Sequence, residues 1–520
     1  MDTTTTLGDL DEDQRYAAFD ALQQRMPEVW GAWGRDRPEE SAVVVPSVSL
    51  ERTTATSGTL MQAMEERALF QLLLLRQPML KLVYVTSTPI SDEIVDYYLG
   101  LLPGVVSSNA RRRLHLVSVG DASTRPLSRK VLDRPRVLRR IRDLIPDRAV
   151  SHLIPYTTTE LERDLAISLG IPMYGSDPRL APLGSKSGCR RLFGDVGVRA
   201  PAGAEGLRTV DDLSTALTKM RADLPSLREV IVKINEGVSG SGNALVDLTG
   251  LPAPGDPDEE PAVRDRIRHL QPEAADLTVD GFLEAFEHLG GVVEERITGS
   301  ELTSPSVQMR VLPDRTVELL STHDQLLGGA SGQKYLGCVF PADPAYSRLI
   351  SEPAMAVGRD LAERGVLGRF AVDFVAVRDG ADDWTAYAIE LNLRKGGTTH
   401  PFLTLQYLVG GGYDGEAGLY RAESGAPKFL VATDHLEDDR LMALTPRDVF
   451  DVVARRRLHF DHSRKSGVVF HMLSCVTECG RLGLTAIGDS PEQAWQTYQD
   501  ATEALLDEAD RACTPGALPT

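Results

Sequence analysis

No run of apolar residues in this 520-residue chain is long enough to cross a bilayer. The best stretch, Leu72–Leu75, is broken at once by Arg76, far short of the ~20 residues a spanning helix needs. Met1–Asp20 is acidic and threonine-rich and has neither the basic start nor the apolar middle of an export signal. Cysteine is scarce: the five residues are scattered except for Cys475 and Cys479, which does not read as a disulfide framework. These absences set the expectation of a cytoplasmic protein without a membrane partner. Positive charge is also short. A formal net charge of −19 argues against nucleic acid as a partner, because duplex affinity comes mainly from Lys and Arg neutralising phosphates. One basic run, Arg125–Arg148, alternates Arg134, Arg136, Arg139, Arg140 and Arg142 with Val137, Leu138, Ile141 and Leu144. That spacing predicts an amphipathic helix with a solvated basic face, in preference to an anion-binding site. Repeats of solenoid period are missing too.

What is present suits a soluble globular chain of several domains, with 42 % apolar and 25 % charged residues. Residues 1–40 read as an irregular lead-in with one helix around Arg15–Gln24. Strands are expected at Ala42–Val45 (stopped by Pro46), Leu80–Val85, Leu114–Val119 and Leu153–Pro155, with a leucine-rich helix at Glu65–Arg76. Strands alternating with helices predict an α/β domain with a parallel, covered sheet over residues 41–181. A second region spans residues 182–427, interrupted by an acidic, turn-forming surface excursion at Pro252–Glu260. Residues 428–520 predict a small α+β domain with a strand at Val468–Leu473. It closes on a helix from Ser490 to Arg511, started by Ser490 as N-cap, Pro491 and Gln493.

Two segments carry chemistry. In Ile231–Val246, two β-prone stretches flank a loop containing Gly237, Ser239, Gly240, Ser241, Gly242 and Asn243. Glycines let backbone N–H groups converge on an anion, serines add donors, and Lys233 on the first strand adds positive charge. A Gly/Ser hairpin loop is also a common structural element. No Gly-Lys-Ser/Thr follows, and a strand rather than a helix comes next, so it is neither a P-loop nor a dinucleotide fingerprint. Downstream, Arg369–Val377 and Ala386–Arg394 read as a hairpin that sets Asp373 in an otherwise apolar strand. Glu390 and Asn392 project from one face of the other strand. Carboxylates in such a place need a partner or a cation, and Asp, Glu and an amide oxygen make a hard oxygen site suited to Mg²⁺. A solvent-facing polar row is the alternative.

The order Lys186, Lys233 with its loop, Glu294–Glu301, Asp373 and Glu390-x-Asn392 resembles the ATP-grasp superfamily over residues 182–405. The resemblance implies that Lys186 and Lys233 contact ATP phosphates, that the loop closes over them, and that Asp373, Glu390 and Asn392 hold magnesium. It places the adenine hinge at Val293–Ile297, with Glu294 or Glu295 facing the base, and a ribose carboxylate at Glu301. Further segments are similar to the pheganomycin-type peptide ligases of secondary metabolism: Val43–Ser47, Gly184–Gly188, His323–Gln325, Gly332–Cys338, Gly396–Pro401 and Gly467–His471. That group has a pre-ATP-grasp domain, the grasp itself and a C-terminal domain.

The expectation is therefore an ATP-dependent carboxylate–amine ligase that forms an acyl phosphate and couples it to an amine or peptide, with Lys233 and Arg394 catalytic. The alternatives are delivery to a thiol or hydroxyl acceptor, a carboxylase or phosphotransferase on the same fold, and a non-catalytic nucleotide-binding module. Oligomeric state is left open. His471, Cys475 and Cys479 recur every four residues, which reads as core packing in preference to zinc. His400 beside Arg394 is read equally as a substrate contact or a capped turn. His323 and Gln325, after a strand at Val317–Leu320, line an acceptor pocket or serve structural hydrogen bonds. A role for Lys395 is not assigned.

Overall fold

The computed structural model describes residues 7–32, 40–49, 57–236, 242–274, 277–328, 334–380 and 383–513. Near the N-terminus, Ser41–Val45 (β1), Lys81–Thr86 (β2), Leu114–Ser118 (β3) and Ser151–Pro155 (β4) form a parallel sheet in the order β3-β2-β1-β4. All five residues of β1 are buried, as its Ser-Ala-Val-Val-Val composition requires for a strand covered on both faces. The lead-in is more ordered than its composition predicts. Helix Glu12–Gln23 starts on a capping box between Asp11 and Gln14, and Phe19 enters the core of this sheet. The basic run forms two helices, Leu127–Leu132 and Pro135–Asp143, because Pro135 begins a new one. Ile141 is buried against the sheet, while Arg136, Arg139 and Arg140 face solvent.

The leucine-rich segment departs from the expected single α-helix. The helix Gly58–Glu66 ends, and Arg67–Arg76 continues as a 3₁₀ helix. Its Leu69, Phe70, Leu72, Leu73 and Leu75 share a core with Phe402, Leu403 and Leu405 of the helix Thr399–Val409. Apolar side chains on every face suit a segment enclosed by neighbours, and tertiary packing here overrides the local preference for 3.6 residues per turn.

Gly203–Leu207 (β5), Glu229–Ile234 (β6), Asn243–Asp247 (β7), Gln271–Pro272 (β8) and Gly291–Glu295 (β9) form an antiparallel sheet in the order β5-β9-β6-β7-β8. The acidic excursion is only partly on the surface. Glu259 starts a helix, is buried, and ion-pairs with Arg221.

The third sheet is the largest. Glu301–Thr303 (β10), Pro305–Val311 (β11), Val317–Gly328 (β12), Lys334–Phe340 (β13), Gly368–Arg378 (β14) and Thr385–Asn392 (β15) build its first part. Gly412–Asp414 (β16), Leu419–Arg421 (β17), Pro427–Glu437 (β18), Gly467–His471 (β19) and Arg481–Gly488 (β20) extend it, with β18 hydrogen-bonded to β13. The sheet therefore runs on across residue 428. Strand β19 ends at His471, two residues short of the expected Leu473, because Met472 turns the chain at φ 59°. The last helix, Pro491–Cys513, is capped as its sequence suggests: Ser490 Oγ accepts from Gln493 N, and Gln493 Oε1 reaches back to Asp489 N.

Candidate active site

Two sheets converge on one cluster of charge. Lys186 opens the helix Lys186–Asp195, whose N-cap Ser185 accepts a hydrogen bond from Gly188 N at 3.0 Å. Asn235, just past β6, fixes where that helix starts. Its Oδ1 accepts from Ser187 N (3.0 Å) and Ser187 Oγ (2.7 Å), and its Nδ2 donates to Leu289 O. On β6, Lys233 stands diagonally across from Glu294 of β9, since Ile231 pairs with Glu294 and Lys233 with Val292. Glu294 is 3 % exposed and bridges two cations, Lys233 Nζ at 2.5 Å and Arg190 at 2.7 Å. Burial opposes its ionisation, but the two cations together hold its carboxyl below the usual range.

The facing edge comes from the hairpin β14–β15. Its register sets Asp373 directly opposite Glu390, with Ser306 of β11 on the other side. Asn392 Nδ2 donates to Asp373 Oδ2 at 3.0 Å, which leaves the amide oxygen as an acceptor. Lys186 Nζ lies 2.5 Å from Glu390 and joins the two halves. Burial, and then the neighbouring Glu390 charge, push the Asp373 carboxyl up to about 6. Burial alone would raise Glu390 as well; Lys186 overcomes this and holds it low, with help from Arg394 and Lys233. Arg394 is half-buried just beyond, its NH1 donating to Lys395 O at 3.3 Å.

Two opposed carboxylates and an amide oxygen are a donor set for a hard divalent cation, and the Lys186 ammonium now stands where positive charge is needed. Among the described residues no three His, Cys, Asp or Glu side chains gather as metal ligands, and the Asn392 amide beside Asp373 offers the further oxygen acceptor. The residues fit magnesium.

The structure thus brings together Lys186, Lys233, Glu294, Asp373, Glu390, Asn392 and Arg394. Gly237, Ser239, Gly240 and Ser241, with Gly332 of the peptide-ligase segments, lie outside the described residues. Gly242 O accepts from Ile234 N, and Asn243 pairs with Lys233 at the loop's base. Glu295 accepts from Ala202 N at 3.1 Å, and Ile297 follows half-buried. Glu301 stands apart, ion-paired with Arg378 at the far end of β14. Arg190 and Asn235 were not anticipated from sequence. The signal for Arg190 was its position one turn after Lys186 on the same helix face.

Other candidates are drawn elsewhere. His323 lies within β12, which is longer than the expected Val317–Leu320, and its Nε2 meets Ser321 Oγ at 2.9 Å in a fully buried site. Gln325 is on the same strand, half-buried. His400 is buried and its Nε2 meets His471 Nε2 at 3.0 Å. Cys475 donates to Arg481 O, and Cys479 ends a four-residue helix, so these two and His471 do not share one helix face.

A family model described as IQCH-like, ATP-grasp matches residues 178–266 and 267–415, and a model of the PGM1 C-terminal domain matches residues 448–501. The chain is 30 % identical over 454 residues to an L-propargylglycine--L-glutamate ligase of Streptantibioticus cattleyicolor, covering 85 % of this chain and 89 % of that one. It is 26 % identical over 405 residues to IQ motif-containing protein H of Danio rerio, covering 68 % of this chain but 37 % of that protein. Among solved structures, the ATP complex of biotin carboxylase from Campylobacter jejuni matches with a TM-score of 0.52 at 13 % identity, covering 91 % of this chain and 95 % of that one. The biotin carboxylase domain of the Hydrogenobacter thermophilus 2-oxoglutarate carboxylase, solved with MgADP and bicarbonate, gives 0.52 and 13 %, covering 89 % of each chain. At that identity these two speak to the fold alone. No helix of the described residues is long and apolar enough to cross a membrane.

Proposed function

The chain belongs to the ATP-grasp family, and on that premise we propose that it is an ATP-dependent carboxylate–amine ligase working through an acyl phosphate. The observation that carries the reading is the meeting of two buried ion pairs at one cluster, one joining a helix start to the β14–β15 hairpin and one lying between neighbouring strands β6 and β9. Lys186 reaches Glu390 and Lys233 reaches Glu294, with Asp373 opposite Glu390. The similar ligase of Streptantibioticus cattleyicolor, named for joining L-propargylglycine and L-glutamate, supports a carbon–nitrogen bond as the product.

In this reading Lys186 and Lys233 exchange their carboxylate partners for phosphate oxygens when nucleotide enters. Each lysine is buried, so its charge acts in a medium that screens it little. Asp373, Glu390 and Asn392 would hold magnesium, which supplies charge neutralisation at the phosphates. Arg394 grips the substrate carboxylate with its planar fork and keeps it aligned as γ-phosphoryl transfer makes the acyl phosphate. The acceptor amine then displaces phosphate, and no enzyme nucleophile is needed. A three-domain division at residues 41–181, 182–427 and 428–520 is part of the proposal, as is residence in the cytoplasm.

The deciding experiment supplies the purified chain with MgATP and a panel of amino-acid carboxylates and amines, with nucleotide chromatography and mass detection of adducts. The expected outcome is one ADP and one phosphate per amide formed. AMP and pyrophosphate, or ATP turnover without an adduct, would overturn the reading.

A further inference from the structure

The two ion pairs of the site do not stand on equal terms when nucleotide enters. Lys186 leaves Glu390 among the groups proposed to hold magnesium, so the carboxylate it abandons gains a cation. Glu294 is not one of those groups. It lies on β9, 3 % exposed, and once Lys233 turns to phosphate only another cation can answer it. A buried carboxylate left alone is costly, and it relieves that cost by taking up a proton. Either way the departure of Lys233 would be opposed.

Arg190 is placed to be the second cation. It lies one turn after Lys186 in the helix Lys186–Asp195, and its side chain is 9 % exposed. Gly203 of β5 pairs with Glu294, and a Cβ there would meet Arg190 Nη2 at 3.0 Å, so this glycine gives the guanidinium its room. Arg190 Nη1 donates to Glu294 Oε1 at 2.7 Å and to Pro201 O at 3.1 Å, and its Nε stands 3.5 Å from Glu205. Lys233 Nζ donates to the other oxygen, Glu294 Oε2, at 2.5 Å. The two contacts are therefore separate, and Lys233 can leave Oε2 without disturbing Oε1. The remaining titratable neighbour is the Cys189 thiol, which burial pushes up to about 11, so it stays neutral. One carboxylate between two cations also leaves the trio with a positive charge to spare.

We infer that Arg190 is a positioning residue for Lys233: it stays on Glu294 Oε1, keeps that carboxylate ionised when Lys233 leaves, and so frees the lysine for the phosphates of the nucleotide. The inference deepens the ligase reading, on which the movement of Lys233 rests; the contact between Arg190 and Glu294 stands without it.

Two measurements on the full chain test it. The first is nucleotide-linked proton uptake, from titration calorimetry of MgATP at neutral pH in buffers of different ionisation heat. Free Arg190→Met keeps Lys233 on Glu294 as a neutral pair and should fold. With nucleotide bound, its Glu294 is left alone and should take a proton from solvent, up to about one more per site than in the parent. Its affinity for MgATP should then fall by up to about tenfold more per pH unit than the parent's as pH rises through neutrality. Arg190→Lys should restore the parent's proton count. Arg190→Met/Glu294→Gln, with nothing left to protonate, should restore it too. A merely structural role would lower Tm and leave the count where it was. The second measurement needs no nucleotide. Lys233→Met leaves Arg190 alone on Glu294, and its Tm should stay close to the parent's. Adding Arg190→Met should lower that Tm by roughly 10 °C, and adding Glu294→Gln as well should recover most of the loss. An unchanged proton count in Arg190→Met, an Arg190→Lys variant no better than Arg190→Met, or a loss that Glu294→Gln does not recover would overturn the inference. MgATP that fails to bind the parent would overturn both the inference and the ligase reading. A shifted proton count without any ADP formation would sustain the role of Arg190 and sink the ligase reading. ADP and amide formation with an unchanged count would do the reverse.

Discussion

Replacing Glu294 with Gln removes one charge from a buried trio and changes little else. In the parent protein, one carboxylate serves Lys233 at 2.5 Å and Arg190 at 2.7 Å, and none of the three side chains is more than 9 % exposed. The amide keeps the volume but leaves two cations facing each other in a poorly screened site. Breaking a buried ion pair from one side costs about 3–5 kcal/mol. The lower end, about 3 kcal/mol, suits a carboxylate whose own burial opposes its charge. In a domain of this size that lowers Tm by roughly 10 °C. Because the folded-state pKa of Glu294 is depressed, its contribution is fully present above the unfolded value near 4.3 and is lost as pH falls through the folded value. The gap in Tm between parent and Glu294→Gln should therefore be constant from about pH 5 upward and close below about pH 4. Differential scanning calorimetry of both proteins across that range measures it. A gap under about 1 °C at pH 7, or one that persists unchanged at pH 3, would refute the argument that this carboxylate is held ionised by its two cations.

Glu390→Gln should remain folded yet turn over about 10²–10³-fold more slowly, since on the proposed reading it removes a carboxylate that holds the metal; near-parent ADP release at ordinary magnesium would sink the metal assignment. Arg394→Lys keeps the charge and loses the fork, so nucleotide affinity should hold while ligation falls by a similar factor. Equilibrium ATP binding and adduct formation, measured separately, decide whether Arg394 is structural instead. At Gly483, a Cβ would meet the His471 ring Nε2 at 2.0 Å, so Gly483→Ala should destabilise by about 1–3 kcal/mol. Adding His471→Ala should relieve that strain, and strictly additive losses in urea unfolding would show that the ring is not the obstacle.

Much of this protein is legible without a structure, because its informative residues are local. Ser-Ala-Val-Val-Val dictates a covered strand wherever it is placed, and an Asp flanked by Val372 and Phe374 asks for compensation. Strand periodicity alone puts Glu390 and Asn392 on one face. The order of lysines, loop and acidic residues then names the family. What stayed hidden depends on contacts between distant segments. Arg67–Arg76 reads as an α-helix, and only enclosure by the helix Thr399–Val409 and its neighbours accounts for its tighter turn. His400 and His471 look like independent polar residues until helix and strand bring their rings to 3.0 Å. Glu294 could not be told from Glu295, since a strand's alternation says that they face opposite ways but not which way holds Lys233 and Arg190. Nor does any local pattern show that Lys186 answers Glu390, because a charge's partner is set by register and packing between distant segments. Sequence fixes which groups carry charge; only the tertiary structure decides which of those charges are answered.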